Sequence, residues 1–335
     1  MNSFIRIFFF CWVILSFIFL GCHQVNEQEV FILPISGEIT SRDAEISGLT
    51  WYEDKLIILT QYPDRFLEDG HSNLFAISKR KIFDILNGDT SISLIPHKIP
   101  FFDGGVSTQL PGFEGFEAIV TLGDTVFLVI EAKNNGGRTG FLIMGKIGAG
   151  LSEIRLDPKS LVELEPQTGF RNISYETLVR TGENIVAIYE VNGAKVNPKP
   201  EAKLFDRHLN SRGAIPFPSV EYRITDATAV NDKGKFWAIN YFYPGEDFLK
   251  PQKDPISLTH GKGTTHAGSD IVERLMEFYF SIDGITVSDQ PPIQLVLRGD
   301  GQSRNWEGIV RLDDRGFIIA TDTYPETILA FVSFP

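Results

Sequence analysis

The chain has 335 residues, 43% hydrophobic and 12% aromatic, which is ample for a packed core and argues against disorder. Its formal charge is −12 with no block of basic residues, which argues against nucleic acid or an anionic membrane surface as partner. Length alone allows one large or two ordinary domains.

Residues 1–22 stand apart. Arg6 precedes an apolar run from Ile7 to Leu20 that stops at Gly21-Cys22. A short basic start, an apolar stretch and a small residue at the cut describe a bacterial secretion signal. Phe19-Leu20-Gly21-Cys22 resembles the lipobox of bacterial lipoproteins, which implies that Cys22 carries lipid. The alternative is an uncleaved anchor, although its roughly 14 apolar residues fall short of the ~20 that a span needs. Cys11 would leave with the signal, so no thiol remains for a disulfide, a nucleophile or a zinc site. The expected location is the cell envelope, with the membrane touched only through the lipid and the protein a monomer.

After a polar tether, His23–Glu29, the body from residue 30 to 335 reads as strands and turns. Val30–Gly37 is an isolated strand. Five stretches then share one pattern: a strand opening on a polar residue, a tight polar turn, and an apolar strand ending in polar residues. They are Ile46–Thr60, Phe116–Glu131, Tyr175–Glu190, Thr225–Asn240 and Asn305–Thr323. Further strands are expected near Asn73–Ser78, Ser91–His97, Gly140–Ile147, Ser152–Leu156, Ala202–Phe205, Val220–Ile224, Glu273–Ile282, Pro292–Leu297 and Thr327–Phe334. The spacing of 50 to 81 residues between repeats suits four-stranded propeller blades, whose sheets cannot bury both faces without neighbours. The pattern predicts an all-β, five-bladed β-propeller, six blades being the alternative. The last repeat supplies three strands, and Val30–Gly37 is the expected fourth, closing the ring. Trp51, Trp237 and Trp306 fall inside the repeats and are expected to pack between blades. No long amphipathic helix is visible.

Stacked, the repeats put Ser47, Glu117, Glu176, Asp226 and Glu307 in one column. First strands line a propeller's channel, so the column would approach the axis at one end. Four carboxylates in a narrow channel disfavour each other's ionisation. A hard divalent ion with oxygen ligands resolves this, Ca²⁺ first and the geometrically stricter Mg²⁺ second. The alternative is that these acids cap strand starts on backbone amides.

The turns inside the repeats are short, whereas the connections after the second strands are long and polar: Gln61–Ser72, Ala132–Thr139, Val191–Glu201, Tyr241–Asp270 and Asp322–Glu326. Strand direction puts these on the face of the acidic column, where sites usually live. They carry Arg65, Lys133, Arg138 and Lys195, the candidate substrate-binding cations, with Lys199, Lys250, Lys253 and Lys262, and Arg207 and Arg212 just beyond. Cations facing a metal suit an anionic small molecule such as a phosphate ester; ordinary solvated loop charge is the alternative. His71, His260 and His266 lack paired spacing on one element and read as loop residues.

Trp306-Glu307-Gly308-Ile309, with Ser47, Glu117 and Glu176, is similar to the calcium-activated nucleotidases (apyrases). That resemblance implies a five-bladed propeller, a Ser/Glu ring around a central Ca²⁺, and cleavage of nucleoside di- and triphosphates. Asp226 stands where that family tends to have Ser. The Glu-Gly-Ile and Ser-Gly-Leu strand starts also resemble the phytase-like esterase domain of secreted bacterial proteins. The six-bladed gluconolactonases similarly open channel strands with metal-binding Glu, Asn or Asp. Two functions stay open. One is a Ca²⁺-dependent phosphoester hydrolase with Glu117, Glu176 and Glu307 as catalytic candidates. The other is a non-catalytic surface-binding propeller pinned by a structural metal.

Overall fold

The structure, a computed structural model, describes residues 25–91, 93–134 and 136–335. The signal segment, Cys11 and the lipobox Cys22 lie outside the described residues.

By their pairing, the described strands form four sheets, of nine, seven, four and four strands, and five runs of four antiparallel strands can be followed within them, each run being one unit. The first contains Ile46–Tyr52, Lys55–Thr60, Ser72–Ser78 and His97–Phe102. The second contains Phe113–Leu122, Thr125–Asn134, Gly137–Ile147 and Ile154–Leu156. The third contains Tyr175–Thr181, Asn184–Tyr189, Glu201–Asp206 and Ser211–Pro216. The fourth contains Val220–Ala227, Lys235–Phe242, Val272–Ser281 and Ile293–Leu295. The fifth contains Trp306–Leu312, Gly316–Thr321, Leu329–Ser333 and, from the far end of the chain, Phe31–Ile32. There Phe31 pairs with Phe331 and Ile32 with Ala330, so the expected N-terminal closing strand is present, though shorter than Val30–Gly37.

The first strand of each unit touches those on either side, and the contacts run full circle: one to two, two to three, three to four, four to five, five to one. The hydrophobic core is divided the same way, into five clusters that each sit between two neighbouring units. This is a propeller. Ile57, Leu59 and Leu74 of the first unit pack on Ile119, Leu128 and Ile130 of the second, for example. Each such side chain contributes roughly 1.5–3 kcal/mol on burial, none of which a lone sheet would collect on both faces. Trp237 and Trp306 lie in the cluster between units four and five, and the Trp51 indole donates to the Arg311 carbonyl at 2.8 Å, so all three tie neighbours together.

Three local expectations change. Lys79–Leu86 is an eight-residue helix that buries Ile82 and Ile85, and the outer strand of the first unit begins at His97 rather than spanning Ser91–His97. Val220–Ile224 belongs to the inner strand of unit four, because it runs without a break into Thr225–Ala227. The connection Ala132–Thr139 is mostly a hairpin extension, with Lys133 paired to Arg138 across it. Among the described residues no helix is long and apolar enough to cross a membrane.

Candidate active site

Each inner strand carries the same irregularity. The register slips between Ile46 and Gly48, Phe116 and Ala118, Tyr175 and Thr177, Ile224 and Ala227, and Trp306 and Gly308. These are β-bulges, one extra residue against the second strand, and a bulge re-aims the side chain it carries. Ser47, Glu117, Glu176 and Glu307 are those extra residues. In the fourth unit Ile224 pairs with Asn240 just as Phe116 pairs with Ile130 and Trp306 with Thr321. The residue after it, Thr225, is therefore the structural equivalent, one position before Asp226. A slip of one residue along a strand turns a side chain to the other face.

The column opens into a cavity of about 820 Å³ at one end of the ring. Glu117, Glu176, Thr225 and Glu307 line it. Asp226 does not; its Oδ2 accepts from the Ile309 amide at 2.8 Å in the next unit, and the Ala227 and Leu49 amides also bond to it. Ser47 is buried and donates to the Phe116 carbonyl at 2.6 Å. Thr225 donates likewise to the Trp306 carbonyl at 2.6 Å, and Thr177 to the Ile224 carbonyl at 3.1 Å. These hydroxyls and Asp226 sew inner strand to inner strand. Asp226→Ala would strand buried amides on two other units. It is expected to cost about 2–4 kcal/mol in urea unfolding, while leaving the acids of the cavity in place.

Residues at matching places near the ends of the second strands form another tier: Gln61, Glu131, Glu190, Tyr241 and Asp322, each just past the partner of the residue that precedes the bulge. Gln61, Tyr241 and Asp322 line the cavity, and Glu131 and Glu190 are buried behind it. Two arginines bind this tier. Arg138 pairs with Glu131 at 3.0 Å and with Glu114 at 3.1 Å. Arg223 is held by Glu190 and by Glu246, whose Oε2 accepts from Nε at 2.7 Å. The strand-end glutamates were visible in the repeats; that Arg138 of the same unit reaches Glu131, and that Arg223 of unit four reaches Glu190 of unit three, was not.

Burial dominates the ionisation of this cluster; repulsion between carboxyls comes next for Glu117 and Glu307, and the pull of an arginine next for Glu176 and Glu131. The Glu117 carboxyl is pushed up by burial and then by the charges of Glu131 and Glu176, although Gln61 donates to it at 2.7 Å. Glu307 is pushed up by burial and then by Asp322, Glu176 and Glu117; Asn305 donates to it at 2.5 Å. Glu176 is raised by burial to about 7, with Arg223 and Arg138 pulling the other way, and Glu131 to about 8. Near neutral pH Glu176 in the cavity, and Glu131 behind it, are thus poised between acid and base.

Of the expected cations only Arg138 lines the cavity. Arg65 pairs with Glu45 at 2.5 Å and covers the Tyr62 ring, in a separate depression with Asp43 and Phe66. Lys133 is exposed, 3.6 Å from Glu114, and Lys195 is exposed and away from the lining. Lys250 pairs with Asp270 and Lys199 with Glu201. His71, His260 and His266 also stand outside the lining, and His266 is buried against Glu27 at 2.7 Å. Five carboxyls face the cavity against two guanidinium groups: Glu117, Glu176, Glu246, Glu307 and Asp322 against Arg138 and Arg223. Tyr241, Tyr243 and Tyr324 and the amides of Gln61, Asn172, Gln302 and Asn305 complete the wall. As the side chains stand, no three His, Cys, Asp or Glu among the described residues are near enough together to hold one ion.

No family model matches the chain, and no curated protein matches it. Solved structures are similar in architecture. A protein from Parabacteroides distasonis, provisionally assigned as a glycoside hydrolase, shares 12% identity over 94% of this chain and 95% of its own, with a TM-score of 0.47. The Bombyx mori GH32 β-fructofuranosidase in complex with sucrose shares 10% over 92% of this chain and 61% of its own, with a TM-score of 0.48. An exo-β-1,3-galactanase from Phanerochaete chrysosporium shares 7% over 92% and 64%, with a TM-score of 0.47. This chain spans less than two thirds of the latter two. At these identities and TM-scores the likeness carries no argument about reaction or substrate, which must come from the cavity itself.

Proposed function

We propose that the cavity is the active site of a hydrolase that cleaves glycosidic bonds in a neutral carbohydrate, with Glu117, Glu176 and Glu307 moving the protons. One observation carries this reading: three carboxyls on equivalent bulges share one cavity, their ionisation opposed by burial, while both arginines are already engaged by acids. An anionic substrate would find both guanidinium groups of the cavity already paired. A polyhydroxylated neutral one would meet hydrogen-bonding amides and tyrosine faces.

Glycoside cleavage uses two carboxyl groups, one protonated to donate to the leaving oxygen and one ionised to attack or to activate water. Glu176, raised only to about 7 because Arg223 and Arg138 favour its charged form, suits the ionised partner. Glu117 and Glu307, pushed up by burial and by neighbouring carboxyls even with a side-chain amide on each, suit the acid. A panel of aryl glycosides tests this: turnover that persists in chelator and disappears in Glu176→Gln supports it. The absence of any turnover would leave a binding propeller.

A second reading rests on the order of the bulge residues, Ser47, Glu117, Glu176, Thr225 and Glu307. Hydroxyl, acid, acid, hydroxyl, acid is the ring that the nucleotidase resemblance implies, with Thr225 now in the place where that family tends to have Ser. The donors are hard oxygens and the acids repel one another, which suits Ca²⁺ and, second, Mg²⁺. The separation of the acids as they stand is against it. Such an ion would supply Lewis-acid polarisation and favour a phosphoester substrate. Calcium titration by calorimetry and thermal melting separates the two. Under this reading binding is expected and is lost in Glu117→Gln and Glu307→Gln. Melting unchanged by calcium or chelator would remove it. With lipid on Cys22, the protein would work tethered at the cell envelope, and Cys22→Ala would release it from membranes.

A further inference from the structure

Six large aromatic side chains are exposed among the described residues, and four of them line the cavity or stand within two residues of its lining. Tyr243 and Tyr324, 41% and 46% exposed, line it directly. Phe170 lies two residues before the lining residue Asn172 and Phe248 two residues after the lining residue Glu246, and the two rings face one another with centroids 4.9 Å apart at 34°. Tyr243 in turn lies nearly parallel to Tyr241 deeper in, at 6.4 Å and 24°. Three separate connections supply these rings, so no single hairpin accounts for the grouping.

Water-exposed rings are costly to collect in one place, and such patches mark binding surfaces. Here the patch borders a cavity of carboxyls and amides. An apolar peptide or lipid tail entering it would strand those polar groups, and an anionic polymer would face five acids. A neutral sugar chain offers C–H faces to rings and hydroxyls to amides and carboxylates. We propose that Phe170, Phe248, Tyr243 and Tyr324 form a binding site for the extension of a neutral oligosaccharide whose end occupies the cavity. This rests on the carbohydrate reading above and adds that the substrate is longer than the cavity.

The test measures binding by calorimetry to Glu176→Gln protein, so that cleavage does not intervene. The probes are hexasaccharides and disaccharides of glucose, xylose and arabinose. A hexasaccharide is expected to bind about tenfold tighter than its disaccharide, as ring stacking contributes elsewhere. That advantage should vanish in Phe170→Ala/Phe248→Ala and survive in Phe170→Tyr/Phe248→Tyr, with thermal melting confirming that both fold. Equal binding of long and short chains, or an advantage untouched by the alanine pair, overturns the rim. If wild-type protein cleaves aryl glycosides but gains nothing from chain length, the rim alone falls. If it neither binds nor cleaves any carbohydrate, both readings fall together.

Discussion

Glu176→Gln is expected to lower turnover by about 10²–10⁴-fold and, in the same molecule, to raise the melting temperature at pH 8. The sign follows from the carboxyl's position. Its pKa in the folded chain is about 7, against 4.5 for the ordinary group, so the folded state holds this proton more tightly than the unfolded one does. The stability it contributes is complete below about pH 4.5 and is lost as pH rises through about 7. At pH 8 the buried charge is a liability, which a neutral amide removes. The expected gain is about 2–6 °C at pH 8, shrinking toward zero near pH 4. Melting curves from pH 4 to 8.5, flatter for the variant than for wild type, check it. A variant that loses activity and also loses stability at pH 8 would mean that Glu176 is a structural partner of the arginines.

Arg223→Met should be the most damaging single change in the site. Its guanidinium lies between Glu190, which is wholly buried, and Glu246, which is nearly so. Removing it leaves those carboxylates without their cation, which costs about 3–5 kcal/mol. The double variant Arg223→Met/Glu190→Gln should recover a good part of that loss, because the amide no longer brings a charge into the protein. Urea unfolding of the two single variants, the double variant and the wild type gives the coupling directly. Additive losses would show that the pair does not interact.

Much of the architecture was legible because propeller strands obey short-range rules. The tight turns Glu53-Asp54, Gly123-Asp124 and Gly182-Glu183 each connect first strand to second, and the first residue of each takes a positive φ, 51°, 56° and 55°. The acids of the column stood out because three of the five repeats open on Glu. The Thr225-Asp226 step was not legible. Both residues are polar, both precede an apolar strand, and only the pairing of Ile224 with Asn240 shows which one the bulge carries. Arg223 was invisible for another reason: its partners Glu190 and Glu246 are 33 and 23 residues away in sequence. The helix Lys79–Leu86 was missed because eight residues give barely two turns of period.

The ring's last hydrogen bonds join Phe31–Ile32 to Leu329–Ser333, so a strand made early waits for one nearly 300 residues later. No earlier strand can take that place without breaking the order of the inner ring. Until then the third strand of the fifth unit shows a bare edge, which is the state most open to pairing with another chain. The half-circle made by units one to three has its internal interfaces early. Closure is therefore a late, long-range step, and folding should be slow for the chain's size. Aggregation during refolding would concentrate on that unfilled edge.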